Sequence, residues 1–288
     1  MLSGIRIIQI EGLGPGPFAA MTLADLGADV IVVHRKDAPT DSPGVSEKSL
    51  LDRGKRSIAL DLKDRDDVET LLDLLATADG LIEGFRPGVM ERLGLGPDQC
   101  MKVNPQLVFG RMTGWGQDGP LAHSAGHDLN YISVSGALWY ASPPGETPIS
   151  PATLVGDVGG GALYLVIGML AGIMKARATG EGRVVDAAIV DGSAHMMNLL
   201  MALKQTGNLS FERGKSMLDG PHWSSTYRTS DSGFMSVQCI EPRFYSIFLE
   251  KLGLGDDPDF ARQFDKTLWG QLGARLEGIF GARTRGEW

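Results

Sequence analysis

Cysteine is nearly missing from this chain: Cys100 and Cys239 stand far apart among 288 residues, with no C-x-x-C pair. That excludes a disulfide framework and a structural zinc site, and makes the reducing cytoplasm the expected compartment. Positive charge is also short, 27 Lys and Arg against 35 Asp and Glu for a net charge of −8, so neither nucleic acid nor an anionic membrane is an expected partner. The longest apolar run, 159–174, is 16 residues with five glycines, short of the ~20 that cross a bilayer, and reads as a buried helix. Residues 1–10 lack the basic and long apolar regions of a signal peptide. His34, His123, His195 and His222 show no metal-ligand spacing, and neither H-E-x-x-H nor G-x-S-x-G occurs. Zinc and serine hydrolases are therefore disfavoured and no metal is expected. Internal repeats and low-complexity segments are missing too.

Hydrophobic residues at 43% and charged residues at 22% can build a globular core. The 39 glycines, about twice the usual ~7% share, belong in tight turns and close backbone approaches. Length divided by ~150 residues per domain gives two domains: a large α/β domain over 1–200, a linker over 201–225 and a small α+β domain over 226–288.

A β-branched run at 5–10, a glycine and proline turn, helical spacing through FAAMTLADLG and a second strand at 30–33 form a βαβ unit. A long polar loop, 36–55, follows. Then come a strand at 57–62, a helix at 64–76, a strand at 80–83, a short helix from Pro87 to Gly94 and a strand at 106–112. This alternation predicts a Rossmann-like, mostly parallel sheet with helices on both faces. A glycine-rich loop at 113–128 leads into a helix at about 127–135. Beyond a proline-rich loop at 143–151 come Asp157, an apolar helix to about 178, a strand at 184–188 and a helix at 191–206. A hairpin at 225–239 and a helix from Glu241-Pro242 to about Gly253 complete the small domain, which reaches Trp288 in what reads as mid-helix.

The turn GLGPGP at 12–17 invites a nucleotide reading, since glycines between strand and helix let a phosphate reach backbone amides. Position 17 is Pro where the G-x-G-x-x-G pattern wants Gly, and Pro15 and Pro17 remove two amides, so simple packing is the stronger reading. His34-Arg35 stands where NAD binders carry an acid; an Arg there suits a ribose phosphate, as in NADP or coenzyme A. Arg53, Lys55, Arg56, Lys63, Arg86 and Arg92 form a basic cluster, either an anion site or solvated charge. His127 reads as a general base or a packing histidine. Asp157, ahead of three glycines and an apolar helix, reads as an N-cap, as a base beside helix amides, or as both. Glu241 reads first as a cap.

Together LSGIRIIQIEGLGPGPFAAMTLADLGADV, RGKRSIALDLK, RPGVMERLGLGP, MTGWGQDGP, AGHDLNYIS, LVGDVGGG, VVDAAIVDGS and IEPRFY resemble the class III CoA-transferase superfamily, and within it the α-methylacyl-CoA racemase branch. The resemblance runs from residue 2 to about 250. It implies an enzyme of acyl-CoA and lipid metabolism that inverts the α carbon of a 2-methylacyl-CoA by a two-base 1,1-proton transfer. Coenzyme A enters as part of the substrate, and no prosthetic group is expected. GHD places a catalytic histidine at His127, GDVGGG a catalytic aspartate at Asp157, and IEP a supporting glutamate at Glu241. The CoA contacts of the large domain fall at Arg35, at Leu60, Asp61, Leu62 and Lys63, at Arg92, and at Gly126, Asp128, Leu129, Asn130 and Tyr131.

The resemblance also implies an interlocked homodimer. Members of the superfamily are longer, with a C-terminal segment that returns to the large domain, and the small domain here stops short of it. Three alternatives stand beside the racemase: a CoA-transferase with Asp157 as nucleophile, an NADP-dependent oxidoreductase, and an inactive acyl-CoA-binding fragment. After MLDG the racemases continue with small residues, whereas Pro221-His222-Trp223 follow here, which would narrow an acyl pocket.

Overall fold

A computed structural model describes residues 1–36 and 49–288; most of the polar loop read at 36–55 lies outside the described residues. The chain divides into two units, 1–138 with 150–197, and 139–149 with 198–288. Segment 139–149, read from sequence inside the large domain, thus belongs with the second unit, as does 201–225.

The first unit is built on six parallel strands in the order β3-β2-β1-β4-β5-β6: β1 (Arg6–Ile10), β2 (Asp29–Arg35), β3 (Lys55–Leu60), β4 (Gly80–Glu83), β5 (Val108–Thr113) and β6 (Arg183–Ala188). The strand order reverses between β1 and β4, which both pair with their neighbours in parallel register, Ile8 opposite Leu81. Successive side chains of a strand point to opposite faces, so neighbouring apolar residues feed two cores. Ile7, Val30, Ile82 and Val108 pack with α1 (Pro15–Asp25) and α6 (Leu163–Thr179). Ile8, Ile31, Leu81 and Phe109 pack on the other face with α2 (Arg65–Leu75), α3 (Val89–Arg92) and α4 (Pro97–Val103). Runs of Ile and Val buried on both faces are what a parallel sheet requires.

Asp64 caps α2, its carboxylate accepting from the amides of Asp66 and Asp67. Helix α4 has no counterpart in the sequence reading; about two turns with Cys100 as the buried residue carry too short a period to see. After α5 (Asp128–Ser135), a π-helical segment, Leu154–Ala162, runs without a break into α6. This helix begins before Asp157, not behind it, and spans 26 residues. By length and composition it is long and apolar enough to cross a membrane. One face, Leu165, Val166, Met169, Ile173 and Ala176, is buried, while Leu163, Ile167 and Met174 are exposed, so the expectation of a buried helix holds for one face and is corrected for the other. The helix read at 191–206 is two, α7 (Ile189–Met196) and α8 (Asn198–Gln205).

In the second unit, β7 (Ser224–Arg228) and β8 (Phe234–Gln238) form the expected antiparallel hairpin. Helices α9 (Pro242–Leu252) and α10 (Trp269–Phe280) complete its core of Trp223, Tyr227, Tyr245, Leu249, Phe260, Leu272 and Phe280. Gly253 ends α9 in the left-handed conformation. The last eight residues are turns, correcting the reading of Trp288 as mid-helix.

Candidate active site

A cleft of about 490 Å³ opens in the first unit at the C-terminal ends of β1, β4 and β5. That is where the strand order reverses, the place at which open parallel sheets leave a crevice for a ligand. Its walls are the first βα turn from Gly12 to Pro17, residues 83–87 after β4, residues 112–115 after β5, and the segment 124–127. His127, Tyr131 and Asp157 all line it.

His127 is the N-cap residue of α5 and is exposed; its amide donates to Asn130 Oδ1 at 3.0 Å. The next two amides, of Asp128 and Leu129, carry no hydrogen bond among the described residues, so the positive end of α5 opens beside His127. Tyr131 donates its hydroxyl to the Gly126 carbonyl and stacks edge-on against Trp115, centroids 4.8 Å apart. The Trp115 indole Nε1 is buried without a partner.

Asp157 is not the N-cap; Thr153 holds that position. The Asp157 amide donates to Asp128 Oδ1 at 2.9 Å, and Thr153 donates its hydroxyl to Asp157 Oδ2 at 2.5 Å. Oδ2 faces the first turn, since a Cβ placed on Gly14 would lie 3.9 Å from it. Burial raises the Asp157 carboxyl above the usual range; the Thr153 hydroxyl opposes this, the Asp128 charge adds to it, and His127 opposes it. The glycines after Asp157 are not open to a ligand. A Cβ on Gly160 would meet Ser193 Oγ at 2.2 Å, and one on Gly192 would meet the Gly160 carbonyl at 1.9 Å. The triplet therefore exists so that α7 can pack backbone to backbone on the helix that carries Asp157. The amides of Asp157 and Val158 are taken, by Asp128 and by the Thr153 carbonyl, so this helix offers no donors after Asp157, and the open amides are those of α5.

Glu83, which the sequence reading passed over, lines the cleft at the end of β4 and is buried. Its Oε2 accepts from the Phe85 amide at 2.7 Å, and its Oε1 lies 3.5 Å from Arg111 Nε. Burial pushes its carboxyl up to about 7. An acid at the end of a four-residue apolar strand was the available signal. Arg86, noted only within the basic cluster, also lines the cleft and is exposed.

Arg35, Leu60 to Lys63 and Arg92 are not in the cleft walls. Arg35 and Leu60 are register partners across β2 and β3, at the same C-terminal edge of the sheet. Strands ~4.8 Å apart put β3 about 10 Å along that edge from β1. Asp61 accepts from the Lys63 amide in the turn before α2, and Arg92, on α3, is exposed. Of the basic cluster, three members are spent within the fold. Arg53 pairs with Asp25 at 2.5 Å, Arg56 with Asp29 at 2.5 Å, and Lys55 bonds Gln9 at 2.7 Å, with its ammonium pushed down to about 8 by burial. Among the described residues Arg35, Lys63, Arg86 and Arg92 carry no ion pair. Glu241 stands in the second unit at the N-cap of α9, exposed. Among the described residues no cluster of three or more potential metal ligands occurs.

The sequence model of CoA-transferase family III matches residues 2–288, and the chain belongs to that family of enzymes. It is 38% identical to alpha-methylacyl-CoA racemase of Mus musculus over 289 residues, which take in 100% of this chain and 74% of that protein. It is 31% identical to acetyl-CoA:oxalate CoA-transferase of Acetobacter aceti over 278 residues, 91% of this chain and 70% of that one. Among solved structures, Rv3272 from Mycobacterium tuberculosis matches with a TM-score of 0.81 at 29% identity, covering 100% of this chain and 80% of that one. Membership in this family sets the NADP oxidoreductase aside.

Proposed function

We propose that the chain is a racemase of 2-methylacyl-CoA thioesters, with His127 and Asp157 as its two bases. The observation that carries this is that both side chains line one cleft. Inversion requires one base to take the α proton, leaving a planar enolate, and a second to return a proton to the opposite face. A neutral imidazole and a carboxylate can each do either half. Negative charge in the enolate gathers on the thioester oxygen, and the N-terminus of α5, which starts directly after the cleft-lining His127, is the dipole end that would favour it. Burial of Asp157 helps, because a carboxylate raised above its usual range is the stronger base.

The acyl-CoA would lay its thioester in the cleft and its phosphates along the sheet edge toward Arg35 and Lys63, with Arg86 and Arg92 nearby in the β4 connection. Glu241 would support catalysis, and the enzyme would be a homodimer; exposed Leu163, Ile167 and Met174 on α6 favour an apolar partner surface.

The second reading, a CoA-transferase, is favoured by the likeness to the Acetobacter aceti enzyme. There the Asp157 carboxylate would attack the thioester carbonyl, expel the CoA thiolate and form an acyl anhydride. Deuterium incorporation in heavy water separates the two. As a racemase, wild type labels the α carbon of both stereoisomers, and His127→Ala and Asp157→Ala each stop net inversion while retaining exchange only in the isomer the surviving base reaches. Acyl transfer that survives His127→Ala but not Asp157→Ala, without α-proton exchange, would establish the transferase. Inversion at wild-type rate by either variant would show that the assignment of His127 and Asp157 as the two bases is wrong.

A further inference from the structure

We propose that Thr153 is a positioning residue for Asp157: its backbone is held in the left-handed region so that its hydroxyl pins Oδ2 and leaves Oδ1 as the atom that takes and returns the proton. The inference rests on the racemase reading for its kinetic consequence, but not for its geometry.

Thr153 has φ 62, a conformation that costs a β-branched residue of the order of a kcal/mol or more and that glycine or asparagine would adopt far more easily. Ser232 is the only other non-glycine residue with positive φ among the described residues. A threonine at a helix N-terminus ordinarily caps a backbone amide, but Thr153 makes no such bond. Its hydroxyl goes instead to the Asp157 carboxylate, four residues on, at 2.5 Å. Capping therefore does not explain the residue, and the bond to Asp157 does.

Four-residue spacing meets this geometry because the intervening turn is π-helical, with the Val158 amide reaching back to the Thr153 carbonyl at 3.1 Å. From the other side Asp128 Oδ1 holds the Asp157 amide. Main chain and carboxylate are thus fixed independently. Among the described residues Oδ1 of Asp157 accepts no hydrogen bond, and it is the oxygen left for substrate. The charges acting on Asp157 are Asp128, on α5, and His127, at the N-cap of α5; α7, also packed on the turn, carries Asp191 and His195.

The test compares Thr153→Gly, Thr153→Val and Thr153→Ser in the full chain. Glycine removes the hydroxyl while relieving the backbone, so it folds at least as readily; a purely structural role for Thr153 would leave it fully active. Single-turnover deuterium exchange is read for each stereoisomer across pH. Because Asp157 serves one face, Gly and Val should slow proton abstraction about tenfold from the isomer that Asp157 deprotonates and move its acid limb up by about one pH unit. The isomer served by His127 should stay within about twofold, and KM should hold. Thr153→Ser should restore both. Equal losses in the two isomers, or full activity with glycine, would overturn the proposal.

Carbon-13 NMR of the Asp157 carboxyl, assigned with Asp157→Asn, gives a readout free of turnover. Its titration midpoint should rise in Gly and Val and return in Ser. An unchanged midpoint overturns the positioning role even if the wild type exchanges no α proton, a result that would count against the racemase reading alone.

Discussion

Raising the pH from 4.5 to 8 should weaken the first unit through Glu83, and Glu83→Gln should abolish that loss. The Glu83 side chain is 3% exposed, with one amide on Oε2 and the Arg111 guanidinium 3.5 Å from Oε1. Burial outweighs both, holding the folded carboxyl at about 7 against an ordinary 4.5. Between those values the folded state keeps a proton that the unfolded state has released, so folding is favoured by acid there. The contribution is complete below 4.5, shrinks as pH climbs, and is gone above about 7. A gap of that size at ~1.4 kcal/mol per pH unit is worth about 3 kcal/mol. Glutamine keeps the acceptor for Phe85 and never ionises. Urea unfolding followed by circular dichroism at intervals across this range should show Glu83→Gln gaining about 3 kcal/mol on wild type. Taking the difference removes Asp157 and Asp186, which burial also raises. A difference that stays flat with pH would refute the claim that Glu83 is protonated in the folded cleft.

Gly192→Ala should lower stability by about 1–3 kcal/mol or more, because its Cβ would meet the Gly160 carbonyl at 1.9 Å and neither backbone can yield; differential scanning calorimetry with no change in Tm would contradict the packing role of the glycine triplet. Arg35→Ala should weaken CoA by about tenfold while changing dephospho-CoA little, if Arg35 reads the 3′-phosphate; equal losses in titration calorimetry would sink that assignment.

The sequence by itself determined the sheet. Runs such as IRIIQI and VIVV can only be strands buried on both faces, and the helices between them force parallel crossovers. Gly80–Glu83 and the hairpin β7–β8 were legible for the same local reasons: apolar or β-branched runs bounded by turn residues. His127 and Asp157 were legible as chemistry, because each sits beside glycine at the start of a helical pattern. That they share a cleft was not, since residues 30 positions apart meet only when β1, β4 and β5 set their C-terminal ends side by side.

Tertiary structure also decided which reading of each ambiguous signal holds. Three glycines after an acid fit an open anion site or a tight helix crossing equally well, and only α7 lying on Gly160 chose the crossing. A basic cluster fits a phosphate site or a set of ion pairs, and Asp25 and Asp29 claimed Arg53 and Arg56. The acid closing the β4 run was legible at Glu83, but its raised carboxyl was not, because that comes from burial, which depends on what the rest of the chain packs around it. Thr153 is invisible for a related reason: a positive φ is a property of the fold's closure around a residue, and nothing in an Ala-Thr-Leu triplet announces it.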